Sequence, residues 1–210
     1  MLSLGHLPSM TSAPGGMIGV MPVKLSFAEK PTITGKRVLL RPVDPADAAG
    51  LAAIDDEALR LTGTQRKASL KKLRNWYATR ADHADRLDLS IIDRASGQWA
   101  GEVVLNNLDR ANRSCGFRIM LGDAEFRDRG LGTEASRLVL AHAFEVVGIH
   151  RVELQVYANN PRAKHVYDKL GFRYEGTRRQ ALRWDGQWID SHVMAILASE
   201  WRAARGTREV

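Results

Sequence analysis

The stretch FRDRGLGTEA, residues Phe126 to Ala135, places positive charge and two glycines directly before a long apolar segment. The N-terminus of a helix presents backbone N–H groups that have no intrahelical acceptor and a partial positive charge, and both attract anions. Gly130 and Gly132 carry no Cβ, so the backbone can approach a ligand closely. Arg127 and Arg129 add attraction for negative charge. The segment predicts a phosphate-type anion site, with a plain strand-to-helix connection as the alternative.

Two common phosphate motifs fit this segment poorly. The P-loop pattern, a glycine, four residues and then Gly-Lys-Ser/Thr, does not occur in the sequence. The dinucleotide fingerprint G-x-G-x-x-G/A is formally matched by Gly130, Gly132 and Ala135. It normally follows its strand directly and opens a domain, whereas here GDAEFRDR intervenes and the match lies past mid-chain. A dinucleotide-dependent oxidoreductase remains the alternative from another enzyme class.

The composition indicates one globular domain. A chain of 210 residues with 44% hydrophobic residues is long enough to bury a substantial core. Residues 1–30 are predicted as a flexible tail, 31–203 as the domain and 204–210 as a C-terminal tail. The single cysteine, Cys115, permits no disulfide framework, which favours a reducing, cytoplasmic compartment. No apolar run is long enough to span a bilayer, so no membrane association is expected.

The charge balance limits the range of partners. The chain has 31 Lys and Arg against 24 Asp and Glu, a formal net charge of +7. The basic residues are dispersed rather than gathered in a stripe, so nucleic acid is disfavoured as the main partner and a small polyanion is favoured. The six histidines are scattered without a metal-binding spacing, and no metal is expected. Association as a homodimer is left open.

Segments with strand and helix patterns alternate along the chain, and hairpins join several strands. Helices are predicted from a cap at Asp44 to Arg60, over Ser69–Arg80, from the glycine loop to about Val147, and from a cap at Asn160 to Gly171. Strands are predicted in KRVLLRPV, on both sides of a turn at Ala95–Gln98, over Ser114–Leu121, in RVELQVYA, and on both sides of Asp185-Gly186. This order implies a mixed sheet with helices on its faces.

The glycine loop and a second motif downstream of it together match the pattern of a known protein family. Arg127, Gly130 and Gly132 fit the pattern R/Q-x-x-G-x-G/A, and NPRAKHVYDKLGF follows after the next strand. With these motifs the chain resembles the GCN5-related N-acetyltransferases (GNAT) from about Ile33 to Trp201. The opening LLRPVDPADAAGL and the C-terminal hairpin resemble the RimJ/RimL branch, which acetylates the N-termini of ribosomal proteins.

The resemblance implies a fold and a cofactor site. The expected fold is α/β (α+β), a twisted, mostly antiparallel mixed sheet of about seven strands with a splay between strands four and five. Acetyl-coenzyme A, or another acyl-coenzyme A, would lie in that gap. Its pantetheine arm would run beside the backbone of Ile119, Met120 and Leu121 and contact Asn160. Its pyrophosphate would bind the loop residues Arg127, Arg129, Gly130, Leu131, Gly132 and Thr133.

The resemblance also implies direct attack by an amine on the thioester, which needs a proton donor for the thiolate and a proton acceptor for the amine. Tyr167 is the expected donor, although it also lies on an apolar helix face with Ala163, Val166 and Leu170 and could be a core aromatic. Many relatives carry a carboxylate where this chain has Ser114. Glu102 on the preceding strand is the nearest alternative base, unless it is simply solvated.

The sequence therefore predicts an acyl-coenzyme-A-dependent N-acyltransferase that acts on a primary amine, either a peptide or protein N-terminus or a small molecule. Arg183, Trp184 and Trp188 of the C-terminal hairpin are candidates to line the acceptor cleft. Two alternatives stay open: a coenzyme-A-binding sensor module with little transfer activity, and an enzyme that uses a longer acyl group such as succinyl.

Overall fold

The computed structural model describes residues 25–65 and 68–206. Eight strands form one sheet in the order β1-β2-β3-β4-β5-β6-β8-β7. Neighbouring strands are antiparallel except β5 and β6, which are parallel. The strands are β1 Ile33–Thr34, β2 Val38–Pro42, β3 Leu87–Asp93, β4 Trp99–Asp109, β5 Ser114–Leu121, β6 Arg151–Tyr157, β7 Arg173–Trp184 and β8 Gln187–Leu197. The predicted mixed, mostly antiparallel sheet is confirmed, and the short β1 is the additional strand.

Within the described ranges six α-helices accompany the sheet: α1 Ala48–Ala53, α2 Asp56–Thr62, α3 Leu70–Ala78, α4 Leu131–Ala141, α5 Pro161–Leu170 and α6 Ala198–Gly206. The predicted helix to Val147 is found as α4 followed by a π-helical segment, His142–Val147. Asn160 caps α5 by accepting a hydrogen bond from the backbone N–H of Ala163 at 3.1 Å. Gly171 ends this helix with φ 100°.

The predicted single helix from Asp44 to Arg60 was wrong. Asp44 does cap a first turn, but that turn is a 3₁₀ helix, Pro45–Asp47, which leads into α1. The chain then becomes extended at Ile54, with φ −49° and ψ 141°. Asp55 starts α2 because its carboxylate accepts a hydrogen bond from the N–H of Ala58 at 2.7 Å.

β5 and β6 diverge along their length, as predicted for strands four and five. They pair only from Ser114 to Gly116, opposite Arg151 to Glu153. The remainder of β5, Phe117 to Leu121, pairs with β4 on one edge and faces a gap on the other. The gap opens into the functional site.

Helices lie on both faces of the sheet because alternate residues of a strand point to opposite faces. Ile119 and Leu121 pack against the main core, to which α4 contributes Leu131 and Val139. Met120, between them in sequence, packs against a smaller cluster of Ile54, Ala58 and Leu59 on the other face. We call these the α4 face and the α2 face.

The structure extends the domain beyond the predicted boundaries at both ends. Phe27, in the predicted tail, is 1% exposed within the core. The Lys30 ammonium donates hydrogen bonds at 2.6 Å to the carbonyl groups of Phe27, His83 and Arg86. At the other end α6 runs to Gly206. Residues 1–24 and 207–210 of the predicted tails lie outside the described residues. Within the described ranges, no helix has the length and apolarity to cross a membrane.

Candidate active site

A cavity of about 490 Å³ occupies the gap between β5 and β6. Its walls come from both faces of the sheet, including Leu121 and Gly132 from the α4 face and Met120 and Glu102 from the α2 face. All of the predicted catalytic and cofactor-binding residues line this cavity except Arg129. The gap therefore connects the two faces and brings together residues that the sequence predicted separately.

The N-terminus of α4 forms one wall of the cavity. The N–H groups of Leu131, Gly132 and Thr133 occupy the first helical positions, where no intrahelical acceptor exists. Gly130 adopts φ 77°, a left-handed conformation that favours glycine. Gly132 does not need this freedom, but a Cβ there would lie 3.4 Å from Leu121 Cδ1, so larger side chains would fill the cavity wall. These free N–H groups suit an anionic ligand.

The two arginines of the loop are engaged within the protein. The Arg127 guanidinium donates to Asp55 at 2.6 Å, to the carbonyl of Gly122 at 2.9 Å, and to Glu57. Arg129 donates to the buried Asp93 at 2.9 Å and lines a second cavity of about 480 Å³. Both arginines thus form ion pairs within the protein, which offset part of the attraction for negative charge expected of them. The backbone N–H groups at the start of α4 have no such partner in the helix.

Tyr167 combines core packing with access to the cavity. Its ring contacts Phe117 and Phe172 edge-on, with centroid distances of 6.1 Å and 5.8 Å. Burial raises the pKa of the phenol to about 12, so the hydroxyl stays protonated near neutral pH. That hydroxyl forms no hydrogen bond with any described residue. The ring is thus part of the core, as one of the two interpretations predicted. The role of the hydroxyl as a proton donor stays a prediction.

Glu102 is a buried carboxylate on the α2 face of β4, at 7% exposure. The Tyr77 hydroxyl of α3 donates a hydrogen bond to Glu102 Oε2 at 2.8 Å. Burial raises the pKa of Glu102 above its usual range, while Tyr77 and Arg118 oppose that shift. A carboxylate with a raised pKa is a stronger base than an exposed one, which suits it to accept a proton.

Tyr77 and Arg118 were not singled out from the sequence. Tyr77 is 1% exposed and lies 25 positions before Glu102, so no local spacing links them. Arg118 precedes the predicted pantetheine strand segment and points to the α2 face, as Met120 does. Arg162, His165 and Lys169 of α5 also line the cavity. Their i, i+3, i+7 spacing is a helical-face signal that could have identified them.

Asn160 keeps part of its hydrogen-bonding capacity free. Its side-chain oxygen caps α5, and its side-chain NH₂ group donates no hydrogen bond to a described residue. Asn160 lines the cavity, so this NH₂ group is available to a ligand.

Several other expectations concerned residues that the structure places elsewhere. Ser114 lies where β5 and β6 still pair and does not line the cavity. Among the hairpin residues, Trp188 is 59% exposed beside Arg183, and Trp184 packs on the α2 cluster. None of the three hairpin residues lines this cavity, so their place in an acceptor cleft stays a prediction.

Cys115 lies on β5 but does not line the cavity. Cys115 is buried beside β6, and burial raises the pKa of its thiol to about 12, which disfavours the nucleophilic thiolate. Residues 25–65 and 68–206 contain no group of three or more His, Cys, Asp or Glu arranged to hold a metal ion.

Sequence and structure comparisons agree with this geometry. The family model of the acetyltransferase (GNAT) domain matches residues 37–173. The chain belongs to this family. This acetyltransferase is 26% identical over 174 residues to the probable N-acetyltransferase YjcK of Bacillus subtilis (strain 168), covering 79% of the chain and 96% of the relative. It is 26% identical to spermidine N(1)-acetyltransferase of Escherichia coli (strain K12), covering 81% and 91%.

A solved structure supports the fold of this acetyltransferase. Spermidine N-acetyltransferase from Vibrio cholerae, in complex with CoA and spermine, aligns with a TM-score of 0.73 at 22% identity, covering 80% of this chain and 99% of that chain. The GNAT fold and the N-acetyltransferase class are thus established. Enzymes of this family transfer an acyl group from acyl-coenzyme A to an amine. The relatives include enzymes named for spermidine, so they do not single out the RimJ/RimL branch.

Proposed function

We propose that this enzyme transfers the acetyl group of acetyl-coenzyme A to an α-amino group of low pKa, most simply a peptide or protein N-terminus. The observation that carries the proposal is the cavity through the sheet, with free N–H groups of α4 on one face and a buried carboxylate on the other. The pyrophosphate would bind the N–H groups of residues 131–133, and the pantetheine arm would follow the free edge of β5 and the Asn160 amide.

The proposed chemistry requires no enzyme nucleophile. The neutral amine attacks the thioester carbonyl, the C–N bond forms and the C–S bond breaks. Tyr167 donates its proton to the leaving thiolate, and Glu102 accepts the proton that the amine loses. Proton exchange with water then reprotonates Tyr167 and deprotonates Glu102, which restores the enzyme. The open hydroxyl of Tyr167 and the raised pKa of Glu102 support these roles.

The acid–base chemistry favours α-amino groups over lysine side chains. A peptide α-amino group has a pKa of about 8 and a lysine side chain about 10.4, so far less free energy is needed to deprotonate the former near neutrality. Asp128, the other acidic residue lining the cavity, forms an ion pair with Arg162 at 2.7 Å. Among the acidic residues of the described lining, Glu102 is therefore the carboxylate without an ion-pair partner, which supports it as the base.

A binding measurement tests the cofactor part of this proposal. Acetyl-coenzyme A at a hundredfold over its Kd should stabilise the fold by roughly 2.7 kcal/mol. Gly132→Val should remove most of this stabilisation because a branched side chain would project into the cavity beside Leu121. Gly176→Val is the matched control, since a Cβ at Gly176 meets nothing within 4 Å. An unchanged melting temperature of the wild type with saturating acetyl-coenzyme A would refute the cofactor assignment.

An acceptor screen tests the second part of the proposal, that the acceptor is an α-amino group. Peptides with a free N-terminus should be acetylated well ahead of N-blocked peptides that contain lysine, as read by mass spectrometry. The same screen with succinyl-coenzyme A tests the longer acyl group. Preferential modification of lysine, or rates indifferent to the N-terminal block, would contradict the α-amino assignment.

A further inference from the structure

The charges at the α2 face of the cavity distinguish between classes of amine acceptor. This wall is formed by Glu102 and Met120 of the sheet and by Ala58 and Leu61 of α2, with Arg118 of β5 beside them. It is largely apolar apart from one carboxylate and one guanidinium. The electrostatic state of these two groups decides which acceptor fits.

The carboxylates at and near the cavity are already engaged. Asp128 pairs with Arg162, and Asp55 and Glu57 both pair with Arg127. Glu102 is buried and accepts the hydrogen bond from Tyr77. A polyamine such as spermidine carries several ammonium groups, and each one that is desolvated needs a carboxylate partner. Beyond Glu102, the described lining offers the additional ammonium groups one carboxylate, Asp128, which already pairs with Arg162.

Unlike the carboxylates in these ion pairs, Arg118 has no ion-pair partner among the described residues. Its side chain is exposed and lines the cavity, and it forms no hydrogen bond or ion pair with any described residue. Arg118 lies opposite Val104 in the β4–β5 ladder, and Glu102 is two residues from Val104 on the same face. Diagonal neighbours of this kind lie roughly 7–8 Å apart. One short acceptor can therefore place its amine at Glu102 and a negative group at Arg118.

We propose that Arg118 is a specificity-determining residue that binds a carboxylate of the acceptor. The acceptor class is then an α-amine with a carboxylate a few bonds away, as in a peptide whose second residue is Asp or Glu, and polyamines are poor substrates. The planar guanidinium of arginine suits a bidentate contact with a carboxylate. This inference rests on the proposed function, because it assumes that an α-amine reacts at Glu102.

The test compares peptides that differ only in their second residue, with spermidine and free glutamate as further acceptors. Three C-terminally amidated peptides with a free N-terminal serine and Glu, Gln or Lys in second position are assayed with acetyl-coenzyme A, together with spermidine and free glutamate. The pH is set where the rate no longer rises with pH, so that changes in the Glu102 pKa do not intervene. We expect the Glu peptide to exceed the Lys peptide by on the order of tenfold or more in kcat/KM, with spermidine lowest.

Two variants assign the preference to Arg118. Arg118→Gln should remove the advantage of the Glu peptide, chiefly by raising its KM, and Arg118→Glu should shift the preference toward the Lys peptide. Arg74→Gln is the control, because Arg74 is exposed on α3 and lies outside the cavity lining. Thermal stabilisation by acetyl-coenzyme A verifies that each variant is folded and binds the cofactor.

The outcomes separate this inference from the proposed function. Peptides that are acetylated at equal rates whatever their second residue, or a Glu preference that survives Arg118→Gln, would overturn the role of Arg118 alone. Faster acetylation of spermidine than of every peptide would overturn both the acceptor class and the α-amino assignment. If no α-amine reacts while acetyl-coenzyme A still binds, both proposals fall. Acetylation of free glutamate alone would uphold the carboxylate contact and replace the peptide by an amino acid.

Discussion

The two faces of the cavity are built in different ways. On the α4 face the ligand-facing groups are backbone N–H groups of residues 131–133 and the free edge of β5, which lie close together in sequence. On the α2 face they are the side chains of Glu102 and Arg118, which come from two different strands, and Tyr77 of α3 donates a hydrogen bond to Glu102 from outside the cavity lining. The α4 face suits a constant cofactor because backbone groups are independent of side-chain identity. The α2 face can change its acceptor through single substitutions.

The α2 face also carries a cost in stability that the α4 face lacks. The buried Glu102 has a raised pKa, so the folded state binds its proton more tightly than the unfolded chain does. The stability contributed by the protonated carboxyl is fully present below the unfolded pKa and is lost as the pH rises through the folded pKa. A residue kept at such a position is a candidate for function.

Tyr167→Phe should have the largest effect, because it removes the proposed acid on the α4 face. The ring contacts with Phe117 and Phe172 are retained, so folding and coenzyme A binding should hardly change. Turnover should fall on the order of a hundredfold or more in steady-state assays. Tyr174→Phe, an exposed tyrosine on β7, is the matched control. Normal turnover in Tyr167→Phe would leave this residue with a packing role only.

Glu102→Gln should lower the rate by about tenfold, since water can partly replace a base for an amine. The loss should be greatest between the pKa of Glu102 and that of the amine, about 8, and should fade at higher pH where the amine is already neutral. Rate–pH profiles of both proteins measure this. A loss that is equal at every pH would argue against proton transfer to Glu102.

The melting temperature of Glu102→Gln distinguishes a functional role of the carboxylate from a structural one. Glutamine can still accept the hydrogen bond from Tyr77 and carries no charge to bury. Glu102→Gln should therefore melt at a higher temperature than the wild type at neutral pH, although it is slower. A variant that is both slower and less stable would indicate a structural role for the carboxylate.

Tyr77→Phe should have the smallest effect. It removes a hydrogen bond that lowers the pKa of Glu102, so this pKa should rise further and the acid limb of the rate–pH profile should move to higher pH. The plateau rate at high pH should stay the same, and stability should fall by about 1 kcal/mol. A lower plateau with an unmoved limb would show that Tyr77 does not act through Glu102.

Much of the α4 face could be predicted from sequence because its determinants are local. The cap at Asn160, the stop at Gly171 and the glycine loop before α4 depend on backbone geometry within a few residues. The divergence of β5 and β6 followed from the family resemblance and not from local pattern. It places Tyr167 on the cavity while its ring stays in the core.

The α2 face and the charges of the loop were decided by tertiary structure. Arg127 was expected to attract the ligand, but packing of α2 brings Asp55, 72 residues away, to its guanidinium. The hydrogen bond from Tyr77 to Glu102 joins α3 to β4. Local propensity acts over one turn or one hairpin, whereas the free energy of a buried charge depends on every element packed around it. The sequence alone therefore determined most of the element order and the glycine loop at the start of α4. The tertiary structure decided which charges remain free for a substrate, because only packing sets which partners each charge meets.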